Sequence, residues 1–271
     1  MPKVGFIGAG AMGEALIRGL IGAGEAPAPE ILAADASAER RHYLQDGYGI
    51  GICAENRQVV ETCPTVVLAV KPQVAAEVLA EVGSAFSPGQ LLISVVAGWK
   101  IARLQSLISR EALVIRAMPN MPCLVGQGIT ALSYGPAVPE ARKEEARRIF
   151  GAVGEVVDLA ESCLDAVTAL SGCGPAYTFL ILESLIEAGV KLGLSREVAR
   201  RLTLRTVQGA AAMLQETGAH PAQLKDAVVS SGGATAYGLA VMEEAGLRGA
   251  LIRAVEAAWR RAEELGREGG T

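Results

Sequence analysis

The 271-residue chain is poor in the side chains that most often do chemistry alone or hold a metal. Its only histidines are His42 and His220, and its five cysteines (Cys53, Cys63, Cys123, Cys163 and Cys173) include no C-x-x-C pair. Zinc needs clustered Cys and His, so no metal site is expected, and an odd set of dispersed thiols suits a reducing cytoplasm. Aromatic residues make up only 4% of a chain that is 51% hydrophobic, so the core must be built from Ala, Val, Leu and Ile. Basic and acidic residues nearly balance, with a net charge of −4 and no Lys/Arg block. That excludes the electrostatic footprint of a nucleic-acid or anionic-membrane binder and leaves a small molecule as the expected partner. An uncharged stretch at 166–182 contains Ser171, Gly172, Gly174 and Pro175, which argues against a membrane span. The apolar run that follows Lys3 is interrupted by Glu14 and Arg18, so it is not read as a secretory signal.

What the chain has in quantity is short apolar runs. They fall at 4–7, 31–34, 49–52, 65–70, 91–95, 113–117, 129–133 and 156–159, separated by segments of helical spacing such as 12–20, 74–82 and 140–150. Runs rich in Val, Ile and Leu without polar alternation suit strands buried on both faces. The expectation is an α/β fold: an N-terminal Rossmann-type, doubly wound parallel sheet over residues 1–160. From 161 to 271 no further strand-like run occurs, and 177–192, 195–216 and 247–265 read as long helices of an all-helical C-terminal domain. The helix at 177–192 is apolar around most of its circumference, so it must be covered by other helices or by a second subunit.

The first apolar run leads into Gly8-Ala9-Gly10-Ala11-Met12-Gly13, a G-x-G-x-x-G placed between a strand and a helix. Gly8 serves the tight turn, Gly10 a close approach to a pyrophosphate, and Gly13 the packing of helix on strand. The start of the helix offers unpaired N–H groups and a positive dipole end to phosphate. Roughly 20 residues further on, at the end of the second strand, Asp35 is placed to accept hydrogen bonds from a ribose. Its charge favours NADH over NADPH, whereas Arg40 and Arg41 just downstream are placed to reach a 2′-phosphate. Either coenzyme therefore stays open, with Asp35 leaning to NADH. Two more loops belong at the same sheet edge: Ala69-Val70-Lys71-Pro72 after the fourth strand, and the rigid Met118-Pro119-Asn120-Met121-Pro122 after the sixth.

In the helical part, Leu170-Ser171-Gly172-Cys173-Gly174-Pro175-Ala176-Tyr177 and Ser230-Ser231-Gly232-Gly233-Ala234-Thr235 both precede helices. Ordinary capping accounts for either, but successive N–H groups beside the Ser230 and Thr235 hydroxyls also make a carboxylate site. With these, Gly5-Phe6-Ile7-Gly8-Ala9-Gly10, Ala69-Val70-Lys71-Pro72-Gln73, Ile115-Arg116-Ala117-Met118-Pro119-Asn120, Asp165-Ala166-Val167-Thr168 and His220-Pro221 with Leu224-Lys225-Asp226 complete an ordered series. Across nearly its whole length the chain resembles the pyrroline-5-carboxylate reductase family.

That resemblance implies reduction of L-1-pyrroline-5-carboxylate to L-proline by NAD(P)H, the last step of proline biosynthesis. It implies coenzyme contacts at Ala11, Met12, Asp35, Asn56, Ala69, Val70, Lys71, Pro72, Val95, Val96 and Ala97, beside the glycines. It places the substrate carboxylate at Ser230, Gly233, Ala234 and Thr235, with the Thr235 hydroxyl facing the ring nitrogen as the catalytic contact and Glu161 near the substrate. It also implies a homodimer through the helical domain and, in many members, a ring of dimers (a decamer). The chain departs from the family pattern at Cys173, where serine is usual, at Val229, at Ser231 and at Asp35. Two other readings stand beside this one. A β-hydroxyacid dehydrogenase would share the glycine loop but needs a lysine on the first helix of the second domain, and 175–188 contains none. A non-catalytic dinucleotide sensor would bind nucleotide without turnover.

Overall fold

Each apolar run becomes a strand of one sheet. The strands are β1 (Val4–Ile7), β2 (Ile31–Ala34), β3 (Gly51–Cys53), β4 (Thr65–Leu68), β5 (Leu91–Ser94), β6 (Leu113–Met118), β7 (Gly128–Tyr134) and β8 (Gly154–Asp158). They lie in the order β3-β2-β1-β4-β5-β6-β7-β8. Helices α1 (Ala11–Gly22), α2 (Ala38–Tyr48), α3 (Asn56–Thr62), α4 (Pro72–Val82), α5 (Ile101–Ser106) and α6 (Glu140–Gly151) connect them. The first six strands run parallel in the doubly wound order of dinucleotide-binding folds.

The sheet is the expected doubly wound one, mostly parallel, with a single antiparallel pair near its far edge. β7 pairs antiparallel with β6, and β8 runs parallel to β7 through α6. The connection between β6 and β7 is a short 3-10 turn, Met121–Val125. A parallel crossover needs about a dozen residues or more, so the chain has to turn back on itself there.

Alternation of side chains along the strands divides the core into two layers. Phe6, Val67, Ile93 and Ile115 face α1 and α6, where Leu16, Ile17, Ile149 and Phe150 are buried. Ile7, Val66, Leu68 and Leu92 face α3, α4 and α5 through Val59, Leu79 and Leu104. A fully buried Leu or Ile contributes about 1.5–3 kcal/mol, so both layers hold the sheet that carries the loops at its edge.

This computed structural model describes residues 3–268. By packing they form two units: one runs through Cys173 and resumes at Ala258, and the other is Gly174–Ala257. Residues 161–173, assigned from sequence to the helical part, pack with the first unit. Leu164 and Ala169 there are fully buried. They sit in α7 (Leu164–Val167) and a π-helical turn, Thr168–Gly172.

The remaining helices are α8 (Gly174–Lys191), α9 (Arg196–Thr217), α10 (Pro221–Ala227), α11 (Ala234–Glu244) and α12 (Leu247–Glu268). The end of α12 belongs to the first unit, where Gly98 and Gly266 approach so closely that a Cβ on Gly98 would lie 3.3 Å from the Gly266 nitrogen. Within Gly174–Ala257 the one buried residue is Ala199, while Phe179, Leu180, Leu202, Val241 and Ile252 are exposed. By length and composition alone, Glu161–Lys191 could cross a membrane, with a mean hydropathy of 1.3. Apolar helices with so little core of their own require cover from outside the unit.

Candidate active site

Three backbone hydrogen bonds stitch the carboxyl ends of neighbouring strands into one edge. Gly8 N–H donates to Ala34 O (2.9 Å), Ala69 N–H to Ile7 O (2.8 Å) and Val95 N–H to Leu68 O (3.1 Å). The glycine loop, Asp35, the 69–72 turn and the 95–97 segment therefore stand side by side at that edge.

Within the loop each glycine meets a different constraint. Gly8 has φ +86°, and a Cβ there would lie 2.7 Å from both Ala69 O and Val70 Cγ1. A Cβ on Gly13 would lie 2.7 Å from Gly8 O, so α1 can begin this close to the turn only without a side chain. Around Gly10, the N-cap of α1, a Cβ would meet nothing within 4 Å. Open space over the N-cap, ahead of a helix whose first N–H groups lack ladder partners, fits the pyrophosphate of a nicotinamide dinucleotide.

Asp35 is less free than its position suggests. Its Oδ2 accepts from Ala9 N–H (3.0 Å) and its Oδ1 from Ser37 N–H (2.9 Å), so the carboxylate ties the glycine loop to the start of α2. Arg40 donates through Nε to Ala9 O (2.6 Å) and through Nη2 to Gly10 O (3.4 Å) and to Glu14 Oε2. Arg41 donates to the carbonyls of Asp35 (2.6 Å) and Ala36 (3.2 Å). Glu14 also accepts from Tyr43 (3.0 Å) and Tyr48 (2.7 Å). Partial burial would raise its pKa, but the hydrogen bonds from Tyr48, Arg40 and Tyr43 outweigh that and hold it below the usual range. In return the Tyr48 phenol, donating to Glu14, is pushed up to about 12. Sequence reasoning missed Glu14; its one signal was an acidic residue in the first turn of a helix that should bind phosphate.

The other coenzyme candidates divide by exposure. Ala11, Lys71 and Pro72 are exposed and Met12, Ala69, Val70, Val95 and Ala97 half-buried, whereas Val96 is buried and has only backbone to offer. Asn56 opens α3, and its Nδ2 donates to Glu81 (3.0 Å). Asn120, in the double-proline loop, accepts from Ile129 N–H (3.0 Å) and so fixes the start of β7.

Below the loops, β6 carries a second missed cluster. Arg116, 2% exposed, pairs with Asp165 (3.2 Å) and Glu161 (3.7 Å), and Glu161 Oε1 also accepts from Ile101 N–H (2.6 Å). Glu161 thus ties α5 to the segment that ends in the π turn. That turn differs from the expected capping loop. Cys173 N–H reaches back five residues to Thr168 O (2.8 Å), the spacing of a π turn.

In the second unit, Gly232 has φ +68° and Gly233 is the N-cap of α11. Gly233 N–H donates to Ser230 O (3.0 Å), and a Cβ on Gly233 would overlap Ser230 Oγ. Ser230, Ala234 and Thr235 are exposed. The structure therefore brings Ser230, Gly233, Ala234 and Thr235 together, with Glu161 in the other unit. His220 is a cap: its Nδ1 accepts from Ala222 N–H (3.2 Å) at the start of α10.

Residues 161–265 match the family described as pyrroline-5-carboxylate reductase dimerisation, and 3–98 match the NADP oxidoreductase, coenzyme F420-dependent family. The pyrroline-5-carboxylate reductase of Synechocystis sp. is 43% identical over 98% of this chain and 99% of its own, and that of Arabidopsis thaliana 41% over 97% and 95%. The chain belongs to the pyrroline-5-carboxylate reductase family. The crystal structure of the Plasmodium falciparum pyrroline carboxylate reductase with NADP bound superposes with a TM-score of 0.90, at 35% identity over 98% of each chain. For a pyrroline-5-carboxylate reductase, the exposed apolar helices of the second unit have a reason: they fall inside the dimerisation match, so a second subunit covers them. The absence of a lysine from α8 before its last residue, Lys191, also fits this family better than the β-hydroxyacid dehydrogenases.

Proposed function

We propose that the chain reduces L-1-pyrroline-5-carboxylate to L-proline with a nicotinamide dinucleotide. The observation that carries this is family membership over 98% of the chain, joined to a glycine loop whose N-cap stands open. The bound dinucleotide supplies a hydride to the imine carbon. A cyclic imine takes hydride far better once protonated and holds a proton near neutral pH, so the substrate brings its own activation and the chain needs no histidine.

What remains for the protein is to orient the ring, worth several kcal/mol. The first-turn N–H groups of Ala234 and Thr235, with Gly233 and the Ser230 hydroxyl, hold the carboxylate. The Thr235 hydroxyl hydrogen-bonds the ring nitrogen, which keeps its proton as the C=N bond becomes C–N. Glu161, paired with Arg116, acts on position rather than chemistry. The glycines 8, 10 and 13, with Ala11, Met12, Asp35, Asn56, Ala69, Val70, Lys71, Pro72, Val95, Val96 and Ala97, form the coenzyme edge.

The working form is a homodimer through the helical part, and further assembly of dimers into a ring is part of this reading. The compartment is the cytoplasm, supported by five thiols that are all free. Within the apolar stretch 161–191, α8 is a subunit-facing helix, supported by its exposed Phe179, Leu180 and Leu185 and by the dimerisation match across it. The test is oxidation of NADH and of NADPH by purified protein with and without pyrroline-5-carboxylate. Substrate-dependent oxidation is expected; none, by a folded protein, overturns the proposal.

A further inference from the structure

The reaction proposed above gives Glu14 no task, yet three donors converge on its carboxylate: Arg40, Tyr43 and Tyr48. Arg40 stands beside the glycine turn, its Nε on Ala9 O and its Nη2 reaching Gly10 O. The N–H of that same Ala9 is held by Asp35, the residue at the ribose end of the site. A guanidinium so placed is what an adenosine 2′-phosphate requires, because it offers planar, permanently charged donors. Here its charge is already matched: the ion pair with Glu14 is about a fifth to a quarter exposed on either side chain, so bulk water screens it only in part. The other guanidinium, that of Arg41, is turned to the carbonyls of Asp35 and Ala36. What the edge presents to a ribose is therefore the Asp35 carboxylate, with its neighbouring cations already paired or turned to backbone.

We propose that Glu14 is a specificity-determining residue: by neutralising Arg40 it makes the chain select NADH over NADPH. This deepens the coenzyme part of the proposed function and rests on it. Glu14 does not touch the coenzyme; it acts through Arg40. The two tyrosines fix the carboxylate in place, so the pairing does not depend on a mobile surface glutamate.

The test is calorimetric titration of NAD⁺ and of NADP⁺, separately and without an imine, into the full-length protein. In the wild type NAD⁺ binds at least about tenfold tighter. Glu14→Gln keeps an acceptor for the tyrosines and removes the charge; NADP⁺ then tightens about tenfold while NAD⁺ moves less than about twofold. Adding Arg40→Gln to that variant returns the ratio to its starting value. Arg40→Gln alone is the second probe, independent of how Glu14→Gln folds. It leaves the Glu14 carboxylate unmatched, so NADP⁺ weakens relative to NAD⁺, while the loosened glycine loop costs both nucleotides alike. Equal or tighter binding of NADP⁺ by the wild type, an unmoved ratio in folded Glu14→Gln, a gain in NADP⁺ affinity that survives the addition of Arg40→Gln, or a ratio that moves toward NADP⁺ in Arg40→Gln alone overturns the proposal. These outcomes leave the reductase reading standing. Failure of a folded protein to bind either nucleotide overturns both, and failure of imine reduction alone overturns only the reaction.

Discussion

Substituting alanine at Gly8, Gly10 and Gly13 one at a time separates what the loop needs in order to fold from what it needs in order to bind. At Gly13 the new Cβ would lie 2.7 Å from a backbone oxygen, that of Gly8, so a strand end or a helix start must move. Overpacking of that kind costs about 1–3 kcal/mol. At Gly8 the same crowding is joined by φ +86°, which adds about 1–2 kcal/mol for an L-residue. At Gly10 neither applies: φ is −64° and nothing lies within 4 Å. Alanine there gains about 0.4–1 kcal/mol by restricting the unfolded chain and loses a comparable amount as a poorer N-cap, so the net is near zero.

A change of 1 kcal/mol moves Tm by about 2–4 °C in a protein of this size. Gly8→Ala is therefore expected to melt about 4–20 °C below the wild type, Gly13→Ala less far below it, and Gly10→Ala within about 2 °C of it. Coenzyme binding, read by titration, should rank differently. Gly10→Ala puts a methyl where the pyrophosphate needs to approach backbone, and loses about tenfold or more in affinity despite its normal Tm. If Gly10→Ala melted as low as Gly13→Ala, or bound coenzyme as well as the wild type, the assignment of the open N-cap to the coenzyme would be wrong.

Thr235→Ala removes an exposed hydroxyl and should leave stability within about 0.5 kcal/mol while kcat falls about tenfold or more; Thr235→Ser should recover most of it, and unchanged kinetics would sink the role. Replacing Arg116 by Met strands two carboxylates that are still partly hydrated, at a cost of about 2–4 kcal/mol in urea unfolding; a loss under about 1 kcal/mol would show the pairs to be incidental. A thiol-alkylating reagent should modify exposed Cys163 in the native protein and spare Cys63, whose thiol burial pushes up to about 12, until the chain is unfolded. Because the folded pKa of Glu14 lies below its ordinary 4.5, its stabilising contribution is complete above that value and fades as pH falls through the folded pKa. The stability gap between wild type and Glu14→Gln should therefore shrink in acid, and a gap that widened would contradict the network.

Strand positions were legible where the strand is covered on both faces, as β1, β2, β4 and β5 are at every residue, and at β8, which carries exposed Glu155 and Asp158, only through Val156-Val157. Strand direction was not, because an apolar run reads the same both ways. The clue for β7 lay in the connection, too short between Met118 and Gly128 for a crossover. Among the candidate residues, those whose role belongs to backbone geometry were readable one by one: Gly8 by its turn, Gly13 by its packing, Gly233 by its cap. Those whose role depends on a partner were not. Asp35 was readable as an acid at the end of a strand, but its bond to Ala9 joins residues 26 apart in sequence. Arg40 and Glu14 were both visible, and nothing in their spacing announced that one would cancel the other.

The same limit explains why two motifs that look independent in the sequence turn out to be one device. Arg116 and Met118 are two apart on β6 and so point to the same side of the sheet. Arg116 holds the 161–165 segment through its two carboxylates. Met118 reaches Gly172 so closely that a Cβ there would lie 2.7 Å from its Cε. One strand therefore seats the start of the segment by charge and its end by contact. Arg116 and Met118 of Arg116-Ala117-Met118 thus meet the two ends of one segment, 161–172, which is why motifs about 50 residues apart in the sequence act together within the first unit.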